Sequence, residues 1–112
     1  MLQGVIGAGA AGTLLANINS TARAQDTTPI PVGSALPMSG FAAADGIEFK
    51  NGLDLAAEEI NAAGGILGRP IEIHVEDTKE MGADIVSQAM QRLIDRFSTP
   101  VLMNGYNVGT NM

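Results

Sequence analysis

The sequence predicts an α/β fold, a parallel sheet with helices on both faces. Three observations support this. Runs at Pro31–Leu36 and Ile71–Glu76, and a third starting at Val101, have the apolar character or two-residue alternation of strands. The stretches from about Ile47 to Ala62 and from about Met81 to Phe97 place their apolar residues at helical spacing. The resulting order, strand–helix–strand–helix–strand, implies parallel pairing through right-handed crossovers.

Each element has a local reason. Strand one, Pro31-Val32-Gly33-Ser34-Ala35-Leu36, is a short apolar run, followed by a loop expected over Pro37–Gly46. In helix one, Phe49, Leu53, Ala56, Ala57 and Ile60 stack on one side, while Lys50, Asp54, Glu58 and Asn61 decorate the other as a solvated face. Gly64-Gly65 stops this helix by supplying backbone angles that residues with side chains resist. Arg69-Pro70 then returns the chain to an extended path. Strand two alternates apolar and polar residues and closes at Asp77-Thr78. Helix two buries a stripe of Val86, Ala89, Met90, Leu93 and Phe97, with its methionines filling core gaps. Ser98-Thr99-Pro100 is a turn into strand three, which starts at Val101-Leu102-Met103.

The bulk composition excludes several functions. A chain of 112 residues forms one small domain. Its formal charge of −6 argues against nucleic acid, since phosphate binding needs a basic surface. The chain has no cysteine, so no disulfide frame, thiolate metal site or lipid-modified cysteine can form. Its four aromatics, Phe41, Phe49, Phe97 and Tyr106, leave the core largely aliphatic.

Residues 1–24 are expected to be a signal peptide, 25–30 a flexible leader, and 31–112 the folded part. The first segment has an apolar run from Gly4 to Ala16 and then Ala22-Arg23-Ala24, which fits signal peptidase before Gln25. The run is shorter than the ~20 apolar residues of a membrane-spanning helix. No basic residue precedes it, and Met1-Leu2-Gln3 looks like the tail of a twin-arginine motif, so an Arg-Arg pair is expected just upstream in the reading frame. The rival reading is a dinucleotide site at Gly7-Ala8-Gly9-Ala10-Ala11-Gly12. That motif needs a leading strand and an acidic residue ending the next strand, and Ile30–Leu36 carries no acid.

Little here suggests catalysis. His74 is the sole histidine and lies at a polar strand position, so a surface or helix-facing structural role is expected and no metal site is. Glu76 and Asp77 are strand neighbours that point to opposite faces, which suits a helix cap or loop hydrogen bond better than shared acid–base work. Ser34, Ser39 and Ser87 lack a nearby base, and neither a G-x-S-x-G elbow nor a phosphate-binding loop occurs. No cofactor is expected. What remains is geometry, because parallel sheets bind ligands beyond the carboxyl ends of their strands. The loop Pro37–Gly46 and the stretch Asn104–Asn111 fall there, and both are rich in small, hydroxyl and amide residues.

The span from Ile30 to Thr110 resembles the leucine/isoleucine/valine-binding branch of the periplasmic solute-binding proteins that serve ABC transporters. The likeness is carried by Pro37-Met38-Ser39-Gly40, Gly46, Asn51-Gly52, the run Glu59-Ile60-Asn61-Ala62-Ala63-Gly64-Gly65-Ile66-Leu67-Gly68, and Glu76-Asp77-Thr78. The resemblance implies a type I periplasmic binding fold, two lobes closing on an amino acid or related amide or urea-like compound, and a membrane permease as partner. This chain would be the first part of the N-terminal lobe, lacking the second, and would work in the periplasm. The ligand-binding residues so implied are Ser39, Asp45, Tyr106, Gly109 and Thr110. Asp45 takes a place where leucine-type receptors carry an aromatic, and Gly109 one where they carry a carboxylate-gripping serine, with Thr110 beside it. A carboxylate at Asp45 implies a polar ligand, because a buried charge needs a cation or several donors. An alternative on the same fold is a cytoplasmic amide or amino-acid sensor, which would retain residues 1–24. A less favoured one is a Rossmann-type oxidoreductase.

Overall fold

In the computed structural model, residues 25–79 and 82–104 are described. The elements run β1 (Ile30–Leu36), α1 (Ala43–Ala62), β2 (Ile71–Asp77), α2 (Ala83–Phe97) and β3 (Val101–Asn104). The strands form one parallel sheet in the order β2-β1-β3. Ile30 sits opposite Ile71, Leu36 opposite Asp77, and Val32 opposite Val101, so all the strand starts share one edge and all the ends the other.

The two helices cover opposite faces, as the sequence predicts. Successive strand residues point to opposite sides. Ala35 packs with Val86, Ala89 and Met90 of α2. Gly33 lies on the same side, where a Cβ would come within 3.2 Å of a Leu93 methyl and 2.8 Å of a Leu102 methyl, so the missing side chain sets how closely α2 sits. His74, opposite Gly33, stacks on Phe97 at 3.8 Å between ring centroids. It therefore faces the helix and also contacts Glu72, 3.2 Å away. Glu76, on the same face, holds Arg92 at 2.8 Å and Arg96 at 3.5 Å. The α2 stripe is as predicted: Val86, Ala89 and Leu93 are buried, and Met90 and Phe97 half-buried.

The α1 face is less closed. Ala57 is buried and Leu53 half-buried, but Phe49 and Ile60 stay 46% and 38% exposed. Between this helix and the sheet runs an apolar groove of about 160 Å³, lined by Val32, Leu53, Ala57, Ile60, Ile71 and Ile73. It lies on a sheet face and not at the strand ends. With a wholly apolar lining it has no group to orient a polar ligand, and we read it as core left uncovered among the described residues.

One boundary differs from expectation. Helix α1 begins at Ala43 and not near Ile47, so the loop runs Pro37–Ala42 and Asp45 sits in the first helical turn. The sequence places Gly46 at the end of the loop. It is instead a helical packing residue, since a Cβ there would collide with the carbonyl of Pro37. Ala43-Ala44 before it are strong helix formers.

The connection from α1 to β2 closes on itself. The Asn61 amide donates to the Ile71 carbonyl (2.9 Å) and its oxygen accepts from the Ile71 N–H (2.7 Å), tying the helix end to the strand start. Gly65 turns at φ +74, and a side chain there would strike the Arg69 carbonyl. Ile66 and Arg69 exchange backbone hydrogen bonds of 2.8 and 2.9 Å around Leu67 and Gly68, both at positive φ, the signature of a type I′ turn. Outside these elements, Gln25 donates to the Leu67 carbonyl and Arg69 to that of Thr28.

Candidate functional site

The carboxyl edge of the sheet is built by the β1–α1 loop and the end of β2. Asp77 links the two. Its Oδ1 accepts from the backbone N–H of Met38 (2.9 Å) and of Lys79 (2.8 Å). Its Oδ2 accepts from the Ser39 hydroxyl at 2.6 Å, the short distance of a bond to a charged acceptor. Partial burial pushes this carboxyl up, but the Ser39 hydroxyl and the N–H groups of Lys79, Met38 and Ser39 outweigh it, so its pKa lies below the ordinary 3.8. The sequence reading of Asp77 as a loop hydrogen-bonder holds.

Beyond Ser39 the chain reverses at Gly40, whose φ of +82 favours a residue without a side chain, and passes beside the Lys79 carbonyl. Phe41 then projects outward, 80% exposed, before buried Ala42 leads into α1. No side chain caps this helix; Ala42 stands at the N-cap position. The first turn of a helix leaves backbone N–H groups without intrahelical partners and carries a partial positive charge. Such an end suits a carboxylate or another small polar acceptor. Asp45, exposed in that same turn, is the only acidic residue there and sits favourably against the helix dipole.

Of the residues named from sequence, Ser39 and Asp45 do lie on this edge, one in the loop and the other in the helix it feeds. Tyr106, Gly109 and Thr110 lie outside the described residues, as does the segment 1–24. Strand β3 ends beside β1, with Asn104 opposite Ala35, so the chain leaves β3 on the same edge. Sequence reasoning gave Asp77 a loop hydrogen bond without naming its partners, Met38 and Ser39. A signal for these partners existed, since a Ser-Gly turn after one parallel strand and an acid ending its neighbour fall on one edge.

Residues 29–111 match the periplasmic binding protein family. A Leu/Ile/Val-binding protein homolog of Brucella suis is 40% identical over 60 residues, covering 54% of this chain and 15% of the relative. The crystal structure of a branched-chain amino acid ABC transporter protein from Silicibacter pomeroyi superposes with a TM-score of 0.69 at 54% identity, over 71% of this chain and 20% of that one. The branched-chain amino acid transporter substrate-binding protein of Streptococcus pneumoniae, solved with isoleucine, gives a TM-score of 0.61 at 32% identity, over 66% of this chain and 21% of that one. The chain thus spans about a fifth or less of the length of these relatives. Both solved neighbours share its parallel sheet and flanking helices, and the chain belongs to the periplasmic binding protein family.

Proposed function

We propose that this chain forms the opening part of the N-terminal lobe of an extracytoplasmic solute receptor of an ABC importer. The receptor binds a branched-chain-type amino acid, or a related amide or urea-like compound, and hands it to a membrane permease. The observation that carries this reading is the carboxyl edge of the sheet, where a loop carrying Ser39 and tied down by Asp77 leads into an uncapped helix with Asp45 in its first turn. Parallel α/β sheets bind ligands at that edge. Family membership and the likeness to an isoleucine-bound receptor support the ligand class.

Tyr106, Gly109 and Thr110 complete the ligand contacts in this reading, and Asp45 biases the receptor toward polar ligands. Residues 1–24 direct export and are removed before Gln25. Mass spectrometry of exported protein checks that point, because a mature form retaining residues 1–24 contradicts it.

Thermal-shift measurements on the intact protein test the function itself, using L-leucine, L-isoleucine, L-valine, basic amino acids, simple amides and urea. At least one compound raises the melting temperature under this reading; no shift with any of them removes it. Asp45→Trp moves the preference toward apolar side chains. An unaltered preference in that variant removes Asp45 from the site.

A further inference from the structure

The bond between Ser39 and Asp77 also sets which hydrogen-bonding partner Ser39 can take. A hydroxyl has one hydrogen and two lone pairs, whereas an ionised carboxylate only accepts. The Met38 and Lys79 N–H groups donate to Asp77 and favour its ionised form, so the hydrogen in the 2.6 Å contact belongs to Ser39. That hydrogen is spent, and exposed Ser39 has only lone pairs left to offer on its outer side.

We propose that Asp77 is a positioning residue that fixes Ser39 as a hydrogen-bond acceptor toward the ligand, so that the β1–α1 loop receives an N–H-bearing group, an ammonium or an amide. The inference rests on the reading that this loop faces the ligand. Asp45, exposed one turn into α1, adds a second acceptor on the same edge.

The isosteric exchange Asp77→Asn reverses this polarity. An asparagine oxygen can still accept from the Met38 and Lys79 N–H groups, which share a single Asp77 oxygen. Its NH₂ then occupies the place of Oδ2 and donates to Ser39, turning the serine hydrogen outward. Ser39→Ala removes both capacities and leaves Asp77 its backbone N–H donors.

The test is isothermal titration of the intact protein with L-leucine and with 4-methylpentanoate, the same skeleton without the ammonium. The ratio of the two affinities is the readout. We expect it to fall about tenfold in Asp77→Asn and by a smaller factor in Ser39→Ala, as for loss of one hydrogen bond to a charged group. A merely structural Asp77 would weaken both probes alike and leave the ratio unchanged, which overturns the inference. If Asp77→Asn does not fold, the ratio in Ser39→Ala decides. If the wild-type protein binds neither probe the inference falls, and if it also binds no compound of the wider panel the proposed function falls with it. Binding with an unchanged ratio overturns the inference alone.

Discussion

The two edges of the sheet are built on opposite plans. At the edge where strands begin, the connection from α1 to β2 satisfies itself. Asn61 bonds both backbone groups of Ile71, Ile66 pairs with Arg69, and Ile30 donates to the Pro70 carbonyl at 2.8 Å. At the edge where strands end, α1 starts with no side-chain cap, Phe41 and Ser39 stand exposed, and Asp77 holds the loop. The first edge spends its polar groups on architecture, whereas the second leaves some of them available. The most diagnostic motif of the chain, Asn61-Ala62-Ala63-Gly64-Gly65, therefore marks the fold and lies away from the proposed ligand.

Substitutions can break or sharpen that contrast. The largest effect is expected from Gly46→Val, which drives a side chain into the Pro37 carbonyl and forces α1 off β1. Overpacking of this kind costs ~3 kcal/mol, read as a drop in the denaturant midpoint. A variant as stable as wild type contradicts the packing role given to this glycine.

Next comes Asn61→Ala, which strips the Ile71 N–H and carbonyl of their shared partner at the opposite edge. A loss of ~2 kcal/mol is expected. If the two edges are independent, the surviving protein keeps its ligand preference. A changed preference would show that the edges are coupled.

A smaller effect belongs to pH. The Asp77 carboxyl has a folded pKa below its unfolded value, so its contribution is present above about pH 4 and is lost as pH falls through the folded value. Stability should decline more steeply with acidification in the wild type than in Asp77→Asn, measured by urea melts between pH 6 and 2.5. Parallel profiles would mean the Asp77 contacts add nothing.

The smallest is a gain. Leu67 holds φ +52 at the tip of the type I′ turn while 87% exposed. Asparagine accepts that backbone more readily, so Leu67→Asn is expected to stabilise by ~0.5 kcal/mol without touching ligand binding.

How much of this was legible in the sequence follows from which forces act locally. Strand alternation and helical spacing placed all five elements, because burial on one face imposes those periods. The start of α1 was misplaced by four residues because Gly46 serves long-range packing against Pro37, which no local pattern encodes. Helical spacing puts Asn61 on the solvated face, yet its amide bonds Ile71, ten residues further along the chain. Of the site, the loop carrying Ser39 follows from topology, whereas Asp45, in the first turn of α1, followed from the family resemblance. The loop's anchor was legible only as a loop hydrogen bond at the end of β2, since the partners of Asp77, Met38 and Ser39, lie nearly forty positions away.

The central claim is that a ligand meets this chain at the edge where its strands end. Hydrogen–deuterium exchange of the intact protein, with and without the amino acid giving the largest thermal shift, tests it directly. New protection is expected across 37–45 and none across 61–70. Protection confined to 61–70, or to the glycine-rich stretch 7–12, would contradict it.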